Sequence, residues 1–448
     1  MPKKKTALTI EERLQQALVP AEEQPYEVPE NWVWVRLGAV CYASKEKSNN
    51  FSNDIKYIGL EHLEKDKGIV GFSSADKVKS TKNAFKEGQI LYGRLRPYLN
   101  KHDITSFDGV CSTDILVFEA TNLVANVLVD NFFNLPCFIE YVVSNSKGIN
   151  LPRVSEETVL NTTFPLPPLS EQQRIVERVE ELFAKLDEAK ERLQEVADSF
   201  AVRKAAILHK AFTGELTKQW RRENGVSDAS WEEKKGEDFF EYVTSGSRGW
   251  AKYYSDKGSI FVRMGNLNHG TIELDFSDIQ YVELPDQVEG QRSKLQKNDI
   301  LISITADVGM IGLVREDMDA YINQHVALAR PKDNLYAEFL AWYFVSDVGL
   351  KQMQNKQRGA TKIGLGLQDI RNIILKIPTL PEQHEIVRLI DDLLARERAA
   401  QQAAEQALAS IDLMKKSILA RAFRGELGTN KASEASALEL LRQVLAES

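Results

Sequence analysis

The sequence has little of what builds metal centres or covalent cross-links. Three cysteines, Cys41, Cys111 and Cys137, lie far apart among 448 residues and form no Cys-x-x-Cys pair, which excludes a zinc knuckle or a disulfide framework. Six histidines show no ligand spacing, so no metal site is expected. Long apolar runs are missing as well: the longest, near Phe339–Val345, is far below the ~20 residues that span a bilayer. Lys3, Lys4 and Lys5 resemble the start of a signal peptide, but polar residues from Thr9 to Arg13 stand where its apolar core belongs, so a cytoplasmic protein without a membrane span is expected. Cations are not in excess either. A formal net charge of −8 argues against a protein that coats nucleic acid with its whole surface, while leaving room for local basic faces.

Catalytic signatures are equally scarce. No phosphate-cradling P-loop occurs, and the glycine pattern begun by Gly364 and Gly366 has Asp369 in place of its third glycine. The Asn/Asp-Pro-Pro-Tyr stretch with which an amino-methyltransferase holds a flipped base is absent. Cys111-Ser112-Thr113-Asp114 offers a nucleophile but no identifiable base partner. The chain is therefore expected not to be an enzyme, and to bind no cofactor itself.

What the sequence does contain is a repeat. A length of 448 residues exceeds what one core fills, so at least two domains are expected. Pro168-Leu169-Ser170-Glu171-Gln172-Gln173-Arg174-Ile175-Val176 returns 211 residues later as Thr379-Leu380-Pro381-Glu382-Gln383-His384-Glu385-Ile386-Val387. Lys204 to Leu216, with its Lys-Ala-Phe-Thr-Gly-Glu-Leu ending, returns as Lys415 to Leu427 at the same offset of 211. Two matched ends with no change of length between them mark a rigid spacer, because a loop would tolerate insertions.

Each spacer reads as one long helix. No Pro or Gly falls between Glu171 and Phe212, prolines precede it and Gly214 follows. Ser170 or Pro381, then Glu171 or Glu382, suit the first turn and the positive end of the helix dipole. Apolar residues recur as a heptad seam at Ile175, Val179, Leu182, Leu186, Ala189, Leu193, Val196 and Phe200. The equivalent positions are Ile386, Ile390, Leu393, Glu397, Ala400, Ala404, Ala407 and Ile411, with a middle of small residues. A bulky stripe complements a small one, so each helix is expected to pair with the other as an intramolecular antiparallel coiled coil. About 42 residues would make a helix of roughly 63 Å.

The segments before the helices hold short β-rich runs with glycines and turns, as in Gln89–Gly93 and Asp299–Ser303. They match in order but not in side chains. The expected architecture is thus α/β, with α+β recognition domains. Its parts are an N-terminal helical extension 1–25, a first domain 26–168, a first spacer helix 169–216, a second domain 217–379, a second spacer helix 380–427 and a helical tail 428–448. Basic residues gather inside the domains. Lys77–Lys101 holds seven cations against Glu87, and Lys351–Lys376 holds six against Asp369, which makes both islands candidate phosphate-contacting faces. Base reading needs paired donors and acceptors. The candidates are Lys86, Arg94, Arg96, Asn100, Lys101, Ser112 and Thr113 in the first domain, and Thr305, Arg358, Thr361 and Lys362 in the second. Asn323, Gln324 and His325 suit either base contact or orientation of the local fold.

The duplicated order of variable domain, Pro-Leu stretch, Glu-Gln and long helix ending in Gly-Glu-Leu resembles the specificity subunit of Type I restriction-modification systems. Pro25 to Gly38, with Trp32 and Trp34, is similar to the lead-in of that family's first target recognition domain; Gly93–Lys101 and Tyr321–His325 resemble segments inside such domains. Ser230-Trp231-Glu232 keeps a tryptophan but lacks the Pro-x-x-Trp-x-Trp-Val pattern, which leaves the start of the second domain loosely placed. The resemblance implies two domains reading the halves of a split, asymmetric site in double-stranded DNA. It also implies two methyltransferase partner subunits carrying S-adenosylmethionine, and restriction subunits using ATP and Mg. The rival reading is a coiled-coil adaptor whose domains bind protein segments; salt-sensitive retention of a bipartite DNA site separates the two.

Overall fold

The computed structural model describes residues 9–49, 51–285, 290–358 and 364–447. The chain divides into two compact units, one of residues 1–192 and 406–448, the other of residues 193–405.

In the first unit, a four-stranded antiparallel sheet runs in the order His102–Ile104, Ile90–Gly93, Ile115–Ala120, Cys41–Ala43. Its central strand, Ile-Leu-Tyr-Gly, is buried throughout, as an apolar run covered on both faces must be. A five-stranded sheet lies alongside in sequence, with Gly109–Cys111 parallel to Lys56–Ile58. Val33–Arg36 pairs with Thr163–Leu166, bringing the two ends of the domain together where the long helix starts. The second unit repeats this plan: Ile311–Leu313, Ile300–Ser303, Val326–Pro331 and Phe240–Ser245 form the equivalent sheet in the same order. Glu232–Lys235 pairs with Ile374–Ile377 as the closing ribbon.

The second spacer is one helix, Leu380–Ala422. The first is interrupted at Ser199 into Leu169–Asp198 and Phe200–Phe212, which corrects the single helix expected there. The Ser199 hydroxyl donates back to the carbonyls of Glu195 and Val196, a local hydrogen bond that competes with the helical ladder. The pairing is antiparallel within each unit. In the first, Asp187 meets Lys415 at 2.6 Å, and Ile175 and Val179 share a core with Leu419, Ala422 and Phe423. In the second, Arg203 pairs with Glu397, and Leu208, Ala211 and Phe212 share a core with Ile386, Ile390 and Leu394.

Burial follows the expected seam near the helix ends and only intermittently between them. Ile175, Val179, Ile386, Ile390, Ala404 and Ile411 are buried; Leu182, Leu186, Leu193, Phe200, Leu393 and Ala407 are half-buried. Val196 is 37% exposed, and Ala400 is exposed while its neighbour Gln401 turns inward. A helix of 3.6 residues per turn drifts by about 20° per heptad against a strict seven-residue repeat, enough to rotate mid-helix positions out of the stripe.

The cores show an exchange between the copies. Phe423, which ends the second helix, packs on Phe132 and Phe164 of the first domain. Phe212, which ends the first helix, packs on Phe339 and Tyr343 of the second. Each sequence repeat is therefore split between two structural units.

The Glu-Gln signature fastens each helix to its domain. Glu171 is fully buried and accepts from the Trp32 indole (2.7 Å), Thr429 (3.0 Å) and Asn430 (2.8 Å). Glu382 is also fully buried and accepts from the Trp231 indole (3.1 Å), Thr217 (2.7 Å) and the Arg221 guanidinium (2.6 Å). Gln172 donates to the carbonyls of Leu123 and Pro167, and Gln383 to that of Pro378. Trp231 thus occupies the place of Trp32. Among the described residues no single helix is long and apolar enough to cross a membrane.

Candidate nucleic-acid interface

Three chain segments of the first unit converge at one end of the sheet. Beyond strand Ile90–Gly93, the Arg94 N–H donates to the Asp114 carbonyl (2.9 Å), and the Arg94 carbonyl accepts from Val154 (3.0 Å). Arg96 sits in the left-handed region (φ 54°) and its N–H donates to the Pro152 carbonyl (2.7 Å). Lys147 and Arg153 exchange backbone hydrogen bonds of 2.9 and 2.8 Å, closing a hairpin over Gly148–Pro152. The Arg153 guanidinium holds the Asp114 carboxylate through two bonds, 2.8 and 3.1 Å, and keeps it below the usual carboxylate range. The Ser112 hydroxyl accepts from the Asp114 N–H (3.3 Å), fixing that turn.

The second unit has the same main-chain frame. The Ile304 N–H donates to the His325 carbonyl (2.9 Å), and the Ile304 carbonyl accepts from Leu365 (2.9 Å). Ala306 repeats the positive φ of Arg96, at 64°. Arg358 and Gly364 exchange two backbone hydrogen bonds of 3.0 Å, as Lys147 and Arg153 do. The Asn323 side chain accepts from the His325 N–H (3.0 Å), so its role is to orient the turn. Strand for strand, Arg94 is replaced by Ile304, Arg96 by Ala306, Asp114 by His325 and Arg153 by Gly364.

The residues singled out from sequence divide accordingly. Arg94, Arg96, Ser112 and Thr113 come together on this frame, with Arg96 and Thr113 exposed and the Arg94 Nε buried without a partner among the described residues. Thr305 and Arg358 meet on the equivalent frame, where the Arg358 side chain is 82% exposed and pairs with Asp369. Thr361 and Lys362 lie outside the described residues. Asn100 is buried, with its amide donating to the Phe133 carbonyl (3.0 Å), so it shapes the turn instead of facing a ligand. Lys101 donates to the Leu60 carbonyl, and Lys86 pairs with Glu46 at the opposite end of the strand. Burial pushes the Cys111 thiol up to about 12, which removes it as a nucleophile.

Sequence reasoning missed the Lys147–Arg153 hairpin, whose signal is the turn-forming run Ser-Asn-Ser-Lys-Gly. It also missed the polar pocket around Gln324 in the second unit, lined by Arg248, Lys252 and Arg292.

Two units with one backbone plan, joined to paired helices and carrying loop-built basic faces, define a duplicated recognition protein. The chain belongs to the family of the Type I restriction modification DNA specificity domain, which matches residues 29–198 and 229–407. It is 27% identical to the specificity subunit of the Type I restriction enzyme EcoBI of Escherichia coli, over 92% of each chain. It is 25% identical to the EcoKI specificity subunit of E. coli strain K12, over 94% of this chain and 96% of the relative. Its fold is similar to the HsdS subunit of Thermoanaerobacter tengcongensis, with a TM-score of 0.68 and 22% identity over 90% of this chain and 99% of that one.

Proposed function

We propose that the chain is the non-catalytic, DNA-reading subunit of a Type I restriction-modification complex, with each unit contacting one half of a bipartite, asymmetric site. The observation that carries this is the conserved frame with rewritten side chains: Arg94, Arg96, Asp114 and Arg153 stand where Ile304, Ala306, His325 and Gly364 stand in the other unit. Equal backbones present the two readers alike, and unequal donors and acceptors select unequal half-sites. The exposed cations Arg96 of the first unit and Arg358 of the second would contact phosphates or guanine, with Lys101, and Lys86 at the opposite end of the strand, as further cations of the first unit.

The recognition domains span 26–168 and 217–379, and the helical segments that follow them, Leu169–Asp198 with Phe200–Phe212 and Leu380–Ala422, set the spacing of the half-sites. Two similar docking surfaces, one from each repeat, suit two copies of a methyltransferase subunit. S-adenosylmethionine, ATP and Mg belong to the methyltransferase and restriction subunits, and the complex works in the cytoplasm. The test is a gel shift with the chain and its methyltransferase partner on duplexes carrying the methylated sequence mapped in the cell. Retention that is sequence-specific and weakens steeply with salt supports the reading; no discrimination between that duplex and a scrambled one at low salt overturns it.

A further inference from the structure

Ile149, at the tip of the Lys147–Arg153 hairpin, is fully exposed, the only large apolar side chain at 100% among the described residues. The hairpin that presents it is tightly built. Its neck is closed by the Lys147–Arg153 backbone pair, and Gly148 takes a φ of 109° that a side chain would strain. Its base is held by Pro152 on Arg96, Val154 on Arg94 and the Arg153–Asp114 ion pair. A single exposed apolar side chain is ordinary; what sets Ile149 apart is the built hairpin that presents it, a loop held on a rigid scaffold as contact loops are.

We propose that this hairpin carries Ile149 into the major groove, where it contacts the 5-methyl group of a thymine in the half-site read by the first unit. Lys147 in the neck and Arg96 at the base are exposed cations suited to phosphates, which position the protein without reading sequence. An isoleucine cannot hydrogen-bond, and the thymine methyl is the one apolar group on a base-pair edge in the major groove.

The inference rests on the DNA-reading function proposed above. The test uses the complex of the full chain with its methyltransferase partner, and a duplex carrying the mapped site in which each thymine of one half is replaced in turn by uracil. One such replacement should weaken wild-type binding about fourfold, the effect of withdrawing one buried methyl group. Ile149→Ala should lose a similar factor on the unmodified duplex, stop responding to that uracil, and melt at the wild-type temperature. The inference is overturned if Ile149→Ala binds as tightly as wild type, if it weakens yet still responds to every uracil, or if the half-site has no thymine on either strand. A wild-type complex that does not discriminate the mapped duplex from a scrambled one instead overturns the DNA-reading function itself, and the hairpin's role with it.

Discussion

The two units differ least where the helix meets the domain and most where the loops converge. At the helix starts, Glu171 and Glu382 both accept an indole N–H and a threonine hydroxyl, although Trp32 and Trp231 are 199 residues apart and the glutamates 211. At the loop frames, the backbone bonds persist while an arginine becomes isoleucine or alanine. A buried node tolerates few substitutions because each lost partner leaves a desolvated polar group. An exposed frame tolerates many. Stability is thus invested in the constant part, and selectivity is free to change.

The exchange of helix ends offers the largest break of this comparison. Phe423→Ala should destabilise the first unit by ~3–5 kcal/mol, as large aromatic truncations do, although the residue belongs to the second sequence repeat. Hydrogen exchange should accelerate around Phe132 and Phe164 and stay unchanged around Phe339. The nodes themselves should respond unequally. Glu382→Ala takes the buried carboxylate from the Arg221 guanidinium, which keeps only the exposed Asp228, and should cost about 3 kcal/mol by denaturant titration. Glu171→Ala leaves only neutral donors, on Trp32, Thr429 and Asn430, without their acceptor and should cost about 1–3 kcal/mol.

A smaller difference is set by pH. His102 is buried, and although burial opposes its charge, Asp130 at 2.6 Å and Asn134 raise its pKa. That contribution is complete below the unfolded value of about 6.5 and is lost as pH rises through the folded value. The strand of the second unit carries Ile311 at this place. Protection against exchange should therefore fall on alkalisation in the first unit around His102 and not around Ile311, and His102→Gln should abolish the difference.

Much of the plan was legible in the sequence. The constant offset of 211 marked both long helices, and alternation of turns and apolar runs located the central strands. The exchange of Phe212 and Phe423 was not, because a repeat shows that two segments are alike and not which domain each completes. Ser199 looked like any helical serine, since its back-bonding depends on rotamer. Among the candidate contacts, Asn100 was misread because its left-handed turn buries the amide under Phe133, a long-range neighbour that local composition does not reveal. The hairpin at Lys147–Arg153 was overlooked for a similar reason: its closure depends on Arg94 and Asp114, distant in sequence.

The most direct test of the two-reader account is the methylated sequence written in the cell by a complex carrying Arg94→Ala and Arg96→Ala. The account predicts relaxed or lost bases in one half of the bipartite site, with the other half and the spacer unchanged. Loss of both halves together, or a methylation pattern identical to wild type, would contradict it.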